Sequence, residues 1–357
     1  MVDVRKGMPS VQLDEQEFKR RFLSRFYDPA FEPLEAELAK VADAAWDGYS
    51  HSRKAPRTVK AGPGFADPND DISVEWLQAK QTIDDAQRRF EDKSSPSRIL
   101  LINGSTRSEH TCPGEMSKSW RLLEMADKVI RAEPGFECDI LNLSVLASEY
   151  NRVIYPCKSC VSTAMPLCHW PCTCYPNHSL QQNNDWMNEI YPRWVQAHGI
   201  MIVAPVNWYQ VSSAFKLMMD RLVCADGGNP DPTSTHGKDA QKAKEIELAG
   251  WDFPRHLAGR TFGIFAHGDS AGAENLRRIL NDWLEDMGLI SAGHLAVAER
   301  YIGYLSPYAT SHDELDKETA TQEDVRNIAR ALVQSVRQLR NGELKQPDRG
   351  LREPRPK

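Results

Sequence analysis

The sequence contains no hydrophobic run long enough to cross a membrane. None of its apolar stretches reaches the roughly 20 residues that a membrane helix needs. The beginning of the chain, MVDVRKGMPSVQLDEQEF, also lacks the apolar stretch of a signal peptide. We therefore expect a soluble protein that is not exported and that works in the cytoplasm.

A concentrated basic segment is missing as well. The 44 Lys and Arg residues are interspersed with 50 Asp and Glu residues, and the formal net charge is -6. Because no basic run is dense enough to follow a phosphate backbone, we expect no nucleic-acid partner. The eight cysteines of this chain of 357 residues are then better interpreted as metal ligands, redox groups or buried thiols than as a disulfide framework.

Three regions follow one another along the chain. Apolar residues recur at helical spacing from Leu13 to Trp46 and again from Val74 to Phe90, so we predict a helical extension over residues 1–95. Residues 96–341 alternate short apolar runs with helical patterns and form the predicted main domain. Residues 342–357 combine Pro, Gly and charge without apolar periodicity, which predicts a flexible tail.

The main domain is predicted to be α/β, with a parallel sheet covered on both faces. Five apolar runs are the predicted strands: Arg98–Gly104, Glu137–Leu143, Gly199–Pro205, Arg260–Gly268 and Ile290–Glu299. The predicted helices lie between or after them: Glu115–Arg131, Asn183–Ala197, Ser213–Cys224, Ala273–Met287 and Gln322–Leu339. In a three-layer doubly wound sheet of this kind, ligands bind beyond the carboxyl ends of the strands.

The loop after the first strand, NGSTRSEHTCPGEMSKS, offers hydroxyls, a cation and a helix start, but neither GxGxxG nor GxxxxGK[ST]. The absence of these two motifs argues against a Rossmann dinucleotide site and against a P-loop. Hydroxyls beside the backbone N–H groups of a helix start suit a terminal phosphate monoester. The alternative is an ordinary polar loop with a serine N-cap. The candidate phosphate ligands are Ser105, Arg107, Ser108, Ser117 and Ser119.

The loops after the third and fourth strands are the other candidate ligand-binding segments. In APVNWYQVSSAFKLMMDRL, the flat side chains of Trp208 and Tyr209 suit a planar ring, although packing against a neighbour is the alternative. In AHGDSAGAEN, small residues allow close approach of a ligand, and His267 and Asp269 add polar groups. A lone histidine at a strand end is more often structural than catalytic.

In this order, the segments GSTR, PVNWYQVSSAFKLMMDR and HGDSAG resemble the NAD(P)H-dependent FMN reductase family over about residues 97–290. The resemblance implies a flavodoxin-like sheet in the order 2-1-3-4-5. It also implies FMN as cofactor and NAD(P)H as co-substrate, with Ser105, Arg107, Ser117 and Ser119 at the phosphate. The residues implied around the flavin ring are Pro205, Val206, Asn207, Trp208, Tyr209, His267, Gly268 and Asp269.

The resemblance further implies a ping-pong oxidoreductase that passes electrons from NAD(P)H through the flavin to a small oxidant such as a flavin or a quinone. Tyr209, His267 and Asp269 are the candidate catalytic residues for proton relay. A homodimer or homotetramer is implied as well. This chain departs from the family by inserting EHTCPGEM between Arg107 and the serines that open the helix.

A cysteine-rich segment, YPCKSCVSTAMPLCHWPCTCYPNH, lies between the second and third predicted strands. Its CKSC resembles the start of the motif of iron-sulfur flavoproteins, although Thr163 stands where those proteins usually have a further cysteine. Three interpretations compete: a [4Fe-4S] cluster, a structural zinc, or thiols that bind no metal. The candidate ligands are Cys157, Cys160, Cys168, Cys172 and Cys174.

Three functional classes remain open on the sequence alone. The first is the FMN-dependent NAD(P)H:acceptor oxidoreductase. The second is a carrier like the iron-sulfur flavoproteins, which passes electrons to a protein partner. The third is a flavodoxin-fold scaffold without its cofactor.

Overall fold

The structure is a computed structural model that describes residues 2–53, 55–111, 114–175, 185–346 and 351. Eleven α-helices and eight strands are found within these ranges. The helices are α1 Glu15–Leu23, α2 Glu35–Ser50, α3 Val74–Glu91, α4 Lys118–Arg131, α5 Val145–Ser148, α6 Met187–Gln196, α7 Ser213–Arg221, α8 Ala240–Leu248, α9 Ala273–Asp286, α10 Ser311–Lys317 and α11 Thr319–Asn341. The strands are β1 Thr58–Lys60, β2 Asp71–Ser73, β3 Ser97–Asn103, β4 Phe136–Asn142, β5 Gly199–Pro205, β6 Thr261–Gly268, β7 Ile290–Ser291 and β8 Val297–Tyr301.

The main sheet has the order β4-β3-β5-β6, and β7 and β8 share the position beyond β6. All of these neighbours pair in parallel. Numbered by position along the main domain, this is the predicted order 2-1-3-4-5, so the α/β fold class is confirmed. The order reverses between β3 and β5, which opens a crevice at their carboxyl ends.

Alternate side chains of the strands enter two separate cores, because successive residues of a strand point to opposite faces. On β3, Leu100 and Ile102 pack with α6, α7 and α9, whereas Ile99 and Leu101 pack with α4 and α11. A strand buried on both faces has an apolar residue at nearly every position. This explains why β3, β5 and β6 read as continuous apolar runs.

The fifth predicted strand, Ile290–Glu299, is divided in the structure. Gly293 has a φ of +114° and a short 3₁₀ turn follows at His294–Ala296. This backbone is not extended, so pairing with β6 is interrupted after β7 and resumes at β8. The prediction of one continuous strand was wrong for this reason.

The first 95 residues contain the predicted helices and also an antiparallel hairpin of β1 and β2. The hairpin was missed because each strand is three residues long, and only Ile72 among them is buried. Helix α3 contributes Ile83 and Ala86 to the core that it shares with α6. None of the helices within the described ranges is both long enough and apolar enough to span a membrane.

Candidate functional site

A cleft of about 1060 Å³ opens at the carboxyl ends of β3, β5 and β6, and we refer to it as the strand-end cleft. The loops after these three strands form most of its wall, and the segment after β8 completes it. Its lining residues are Ser105, Thr106, Arg107, Glu115, Met116, Ser117, Lys118, Ser119, Pro205, Val206, Asn207, Trp208, Tyr209, His267, Asp269, Ser270, Ala271, Tyr304, Leu305, Tyr308, Ala309, Ser311 and His312.

Hydrogen bonds connect the three predicted loops to one another. The Ser119 Oγ lies 2.8 Å from the His267 Nε2, and the Val206 N–H donates to the His267 carbonyl over 2.8 Å. The Ser212 hydroxyl donates to the Gly104 carbonyl over 2.7 Å. The sequence motifs that are far apart in the chain therefore form one continuous surface.

The first loop ends at the N-terminus of α4, where Ser117 is the N-cap and its Oγ accepts from the Trp120 N–H over 3.1 Å. Gly104 is required at the start of this loop, because a Cβ there would lie 2.9 Å from the Cβ of Ala204 on β5. The positive end of the α4 macrodipole thus faces the cleft. Such an end favours an anionic ligand.

Lys118 is one of the cleft residues that were not predicted from the sequence. Its Nζ is buried and has no hydrogen-bond partner among the described residues, although it forms an ion pair with the Asp269 carboxylate at 3.5 Å. A buried ammonium is costly unless an anion accepts its hydrogen bonds. The signal for it was its place between Ser117 and Ser119, at the first position of a helix that follows a strand-end loop.

His267 is a second buried group with a free polar atom. The side chain is 2% exposed, and its Nδ1 has no hydrogen-bond partner within the described part of the chain. Burial, with a smaller contribution from the Lys118 charge, lowers the pKa of His267 to about 3. The imidazole is therefore neutral at neutral pH.

Arg107 lines the strand-end cleft as predicted, but its guanidinium is engaged within the first loop. The Arg107 guanidinium donates to the backbone carbonyl and the carboxylate of Glu115, over 3.0 and 3.1 Å. Ser108 is not part of the strand-end cleft. It forms a turn with Thr111 and lines a separate cavity of about 240 Å³ beside Asn142. Cys112 and Pro113 of the insert lie outside the described residues.

Trp208 and Tyr209 form the tip of a tight turn. Asn207 and Gln210 exchange backbone hydrogen bonds of 2.8 and 3.0 Å, while Trp208 and Tyr209 have φ angles of +46° and +65°. Positive φ at both central positions defines the turn type that normally carries Asn-Gly. Trp208 is 94% exposed and Tyr209 is 59% exposed. Strained residues of this kind concentrate at functional sites, which supports a role beyond packing.

The segment after β8 forms a further wall of the cleft that the sequence analysis did not include. Tyr304, Leu305 and Tyr308 are exposed there, and the Leu305 N–H donates to the Asp269 carbonyl over 3.0 Å. This segment joins β8 to α10, but its sequence contains none of the motifs that pointed to the other loops. Only its three-dimensional proximity to Asp269 identifies it.

The five candidate metal ligands do not converge in the structure. The described ranges contain no group of three or more His, Cys, Asp or Glu side chains arranged to hold a metal ion. Cys168 packs into the main core with Cys224, and burial raises the pKa of Cys168 well above the usual range of a thiol. The prediction of an iron-sulfur cluster or a zinc site has no support from these residues. His178, at the end of the cysteine-rich segment, lies outside the described residues.

Two of these cysteines are nevertheless in direct contact. The Cys160 Sγ and the Cys174 Sγ lie 2.9 Å apart. The hydrogen bond with Cys174 and the nearby charge of Lys238 lower the pKa of Cys160 to about 7. Cys157 and Cys172 are partly exposed in the same segment.

Comparison with known proteins identifies the family. The sequence model of the family described as NADPH-dependent FMN reductase matches residues 97–301, which is more than half of the chain. The chain belongs to this family. It is accordingly an NAD(P)H-dependent flavin oxidoreductase, and the predicted resemblance is confirmed.

Solved structures with similar folds share little sequence with this chain. RosB with the bound intermediate 8-demethyl-8-formylriboflavin-5'-phosphate is 15% identical, with 69% of this chain and 81% of that chain covered and a TM-score of 0.47. An azoreductase from Bacillus anthracis str. Sterne is 11% identical, with coverages of 65% and 98% and a TM-score of 0.39. The apo form of an NADH:FMN oxidoreductase is 14% identical, with coverages of 71% and 92% and a TM-score of 0.35. No curated protein matches the chain.

Proposed function

We propose that the chain binds FMN in the strand-end cleft and transfers electrons from NAD(P)H to a small planar oxidant, such as a quinone or a free flavin. The observation that carries this proposal is the buried Lys118 Nζ, which faces the cleft at the N-terminus of α4 without a hydrogen-bond acceptor. A phosphate dianion would supply that acceptor and would also interact favourably with the helix dipole. Ser117 and Ser119, which flank Lys118 in the sequence, also line the cleft.

His267 extends the proposed site from the phosphate toward the ring. Its free Nδ1 provides one hydrogen-bonding position for a polar ring edge, while its Nε2 is engaged by Ser119 at 2.8 Å. Because the imidazole is neutral at neutral pH, His267 orients a ligand and does not act as an imidazolium acid. Proton relay is then left to Tyr209, Asp269 or solvent.

The exposed aromatic residues around the mouth of the cleft support a planar acceptor. Trp208, Tyr209, Tyr304 and Tyr308 present their rings where a second substrate enters. Aromatic faces stack on planar ligands with little loss of conformational entropy, which favours quinones and flavins over aliphatic oxidants. The chemistry that FMN supplies when it is bound is two-electron transfer from a nicotinamide to that acceptor.

The proposal is tested by anaerobic stopped-flow reduction of the FMN-reconstituted protein. NADPH is expected to remove the visible absorbance of the oxidised flavin, and a simple benzoquinone added next is expected to restore it. Steady-state rates with both substrates varied should give parallel lines in double-reciprocal plots, because both substrates use the same space in turn.

Two results would contradict the proposal. Failure of the folded protein to take up FMN would remove the cofactor assignment. Intersecting lines would show that both substrates bind at the same time. The proposal that they use the same space in turn would then be wrong. Cyclohexanone, a non-planar carbonyl compound without oxidant character, serves as the control acceptor and is expected to leave the reduced protein unchanged.

A further inference from the structure

The cysteine-rich segment contains a pair of sulfur atoms that the proposed reaction does not use. The Cys160 Sγ and the Cys174 Sγ lie 2.9 Å apart and share a hydrogen bond. Fourteen positions of sequence separate these residues, so the chain must fold back to bring them together. We propose that Cys160 and Cys174 form a redox-active dithiol, which low-molecular-weight disulfides convert to an intramolecular disulfide.

The backbone around Cys160 is held in place by packing. Cys160 begins a short 3₁₀ turn that ends at Ser162, and its side chain packs against a small apolar cluster. The buried members of this cluster are Ala164, Leu167 and Ala243, the last of which belongs to α8. The position of the first sulfur is therefore fixed by contacts with a helix outside the segment.

The backbone around Cys174 is held by a different set of contacts. The ring of His169 is hydrogen-bonded to the Thr173 hydroxyl at 2.9 Å and to the Thr235 hydroxyl at 3.2 Å. The Asn229 N–H donates to the Cys168 carbonyl over 2.7 Å. Because the two sulfur atoms already lie 2.9 Å apart, closing them to a disulfide bond of about 2 Å needs little movement of the backbone.

The exposure of the two thiols sets the order of the reaction. Cys160 is partly exposed, whereas Cys174 is 6% exposed, so the Cys160 thiolate is the group that attacks the external disulfide. This attack forms a mixed disulfide on Cys160 and releases one thiol of the oxidant. Cys174 then attacks the Cys160 sulfur and releases the second thiol. Two protein thiols are oxidised, one disulfide is reduced to two thiols, and the two protons leave on those products.

The neighbouring cysteines are the natural competitors for this pairing. Cys157 is three positions before Cys160, and its Sγ accepts from the Ser159 N–H at 3.3 Å. Cys172 is two positions before Cys174 and close enough to interact with its thiol. The sulfur atoms in direct contact are nevertheless those of Cys160 and Cys174, which makes the linkage itself the decisive measurement.

The experiment uses the full-length, FMN-reconstituted protein, reduced and desalted without air and then exposed to excess glutathione disulfide. Counting of thiols in denaturant is expected to show a loss of two of the eight. Digestion with chymotrypsin cleaves after Leu167 and so separates the two cysteines. Tandem mass spectrometry is then expected to find the two peptides joined by a bond that a reductant breaks, with fragment ions that assign this bond to Cys160 and Cys174.

Three variants complete the test. Cys160→Ser and Cys174→Ser should each abolish the intramolecular link, whereas Cys157→Ser, the matched control in the same loop, should still lose two thiols. Circular dichroism and FMN content verify folding, and Cys160→Ala replaces Cys160→Ser if the serine variant does not fold. A link between other cysteines, a mixed disulfide that persists on Cys160, an unchanged thiol count, or stoichiometric zinc or iron on these thiols would each overturn the proposal. None of these readouts depends on catalytic turnover.

Discussion

Two buried histidines, one in the cysteine-rich segment and one in the strand-end cleft, differ in the number of their ring nitrogens that are hydrogen-bonded. His169 is 1% exposed, and each of its ring nitrogens has a threonine hydroxyl as partner. His267 is 2% exposed, and only its Nε2 has a partner, the hydroxyl of Ser119. Burial lowers the pKa of both residues to about 3. The difference therefore lies in hydrogen bonding and not in burial or charge.

This difference separates a structural role from a ligand-binding role. A buried polar atom without a partner destabilises a protein by about 1–3 kcal/mol, and a ligand that supplies the missing interaction offsets this cost. The strand-end cleft contains two such atoms, the His267 Nδ1 and the Lys118 Nζ. In the cysteine-rich segment, His169, Cys160 and Cys174 are satisfied by neighbours within the chain. The first region therefore offers unpaired polar atoms to a ligand, whereas these polar groups of the second region are paired within the chain.

The largest expected effect is the loss of stability in acid that the two histidines share. Each binds a proton near pH 6.5 when unfolded but only near pH 3 when folded, so below pH 6.5 the unfolded chain holds more protons and stability falls as the pH falls. Between pH 7.5 and pH 5 each histidine should lower the free energy of unfolding by about 2 kcal/mol. Urea unfolding at the two pH values, for the wild type and for His169→Gln and His267→Gln, measures this contribution.

Each glutamine variant is expected to lose less stability on acidification than the wild type, by about 2 kcal/mol. An unaltered pH dependence in His267→Gln would show that this imidazole does take up a proton in the folded cleft, and the neutral role assigned to it would be wrong.

The next largest expected effect is on FMN affinity, and it tests whether the Lys118 cation binds the phosphate. Replacing Lys118 by Met keeps much of the side-chain volume and removes the cation, so FMN affinity should fall by about 2 kcal/mol, or roughly 30-fold. Riboflavin lacks the phosphate, and its affinity should not change. Fluorescence titration of the apoprotein with both ligands measures the difference.

Arg107→Ala is the matched variant for this measurement. Its guanidinium is already paired with the Glu115 carboxylate, so its loss should weaken FMN binding less than the loss of Lys118. If Lys118→Met weakens riboflavin and FMN equally, the lysine supports the cleft as a whole and does not bind the phosphate.

Much of the fold was predictable because the central strands are buried on both faces. Continuous apolar runs revealed β3, β5 and β6, and the loops at their ends were correctly identified as neighbours in space. The division of the last strand depended on the single backbone conformation of Gly293, which the apolar pattern does not encode. Short strands with one buried residue, such as β1 and β2, leave almost no periodic signal.

Within the site, the sequence indicated the polar loops but not which atoms remain without partners. Lys118 and Arg107 are both cations in the first loop, yet only the structure shows that Arg107 is paired with Glu115 while the Lys118 Nζ is buried without a hydrogen bond. The wall formed by Tyr304 and Tyr308 comes from a segment without a recognisable motif. These properties depend on three-dimensional contacts, so residue type and spacing could not predict them.

The smallest expected effect concerns the strained aromatic turn of the cleft. The double variant Trp208→Asn with Tyr209→Gly replaces two aromatic residues at positive φ by the pair that this turn type prefers. Relief of strain should raise the free energy of unfolding by about 1 kcal/mol. Loss of the two rings should at the same time raise the KM for a quinone acceptor and leave FMN affinity unchanged.

Ser159, in the cysteine-rich segment, offers the matched comparison, because its φ of +52° places it in the same left-handed region. Ser159→Gly should relieve strain in the same way but leave the quinone KM unchanged, since Ser159 does not line the cleft. Urea unfolding of both variants measures the change in the free energy of unfolding, and steady-state kinetics measure the quinone KM. If the double variant keeps the wild-type KM, the strain at Trp208 and Tyr209 does not serve acceptor binding, and the contrast between the two regions then rests on Lys118 and His267 alone.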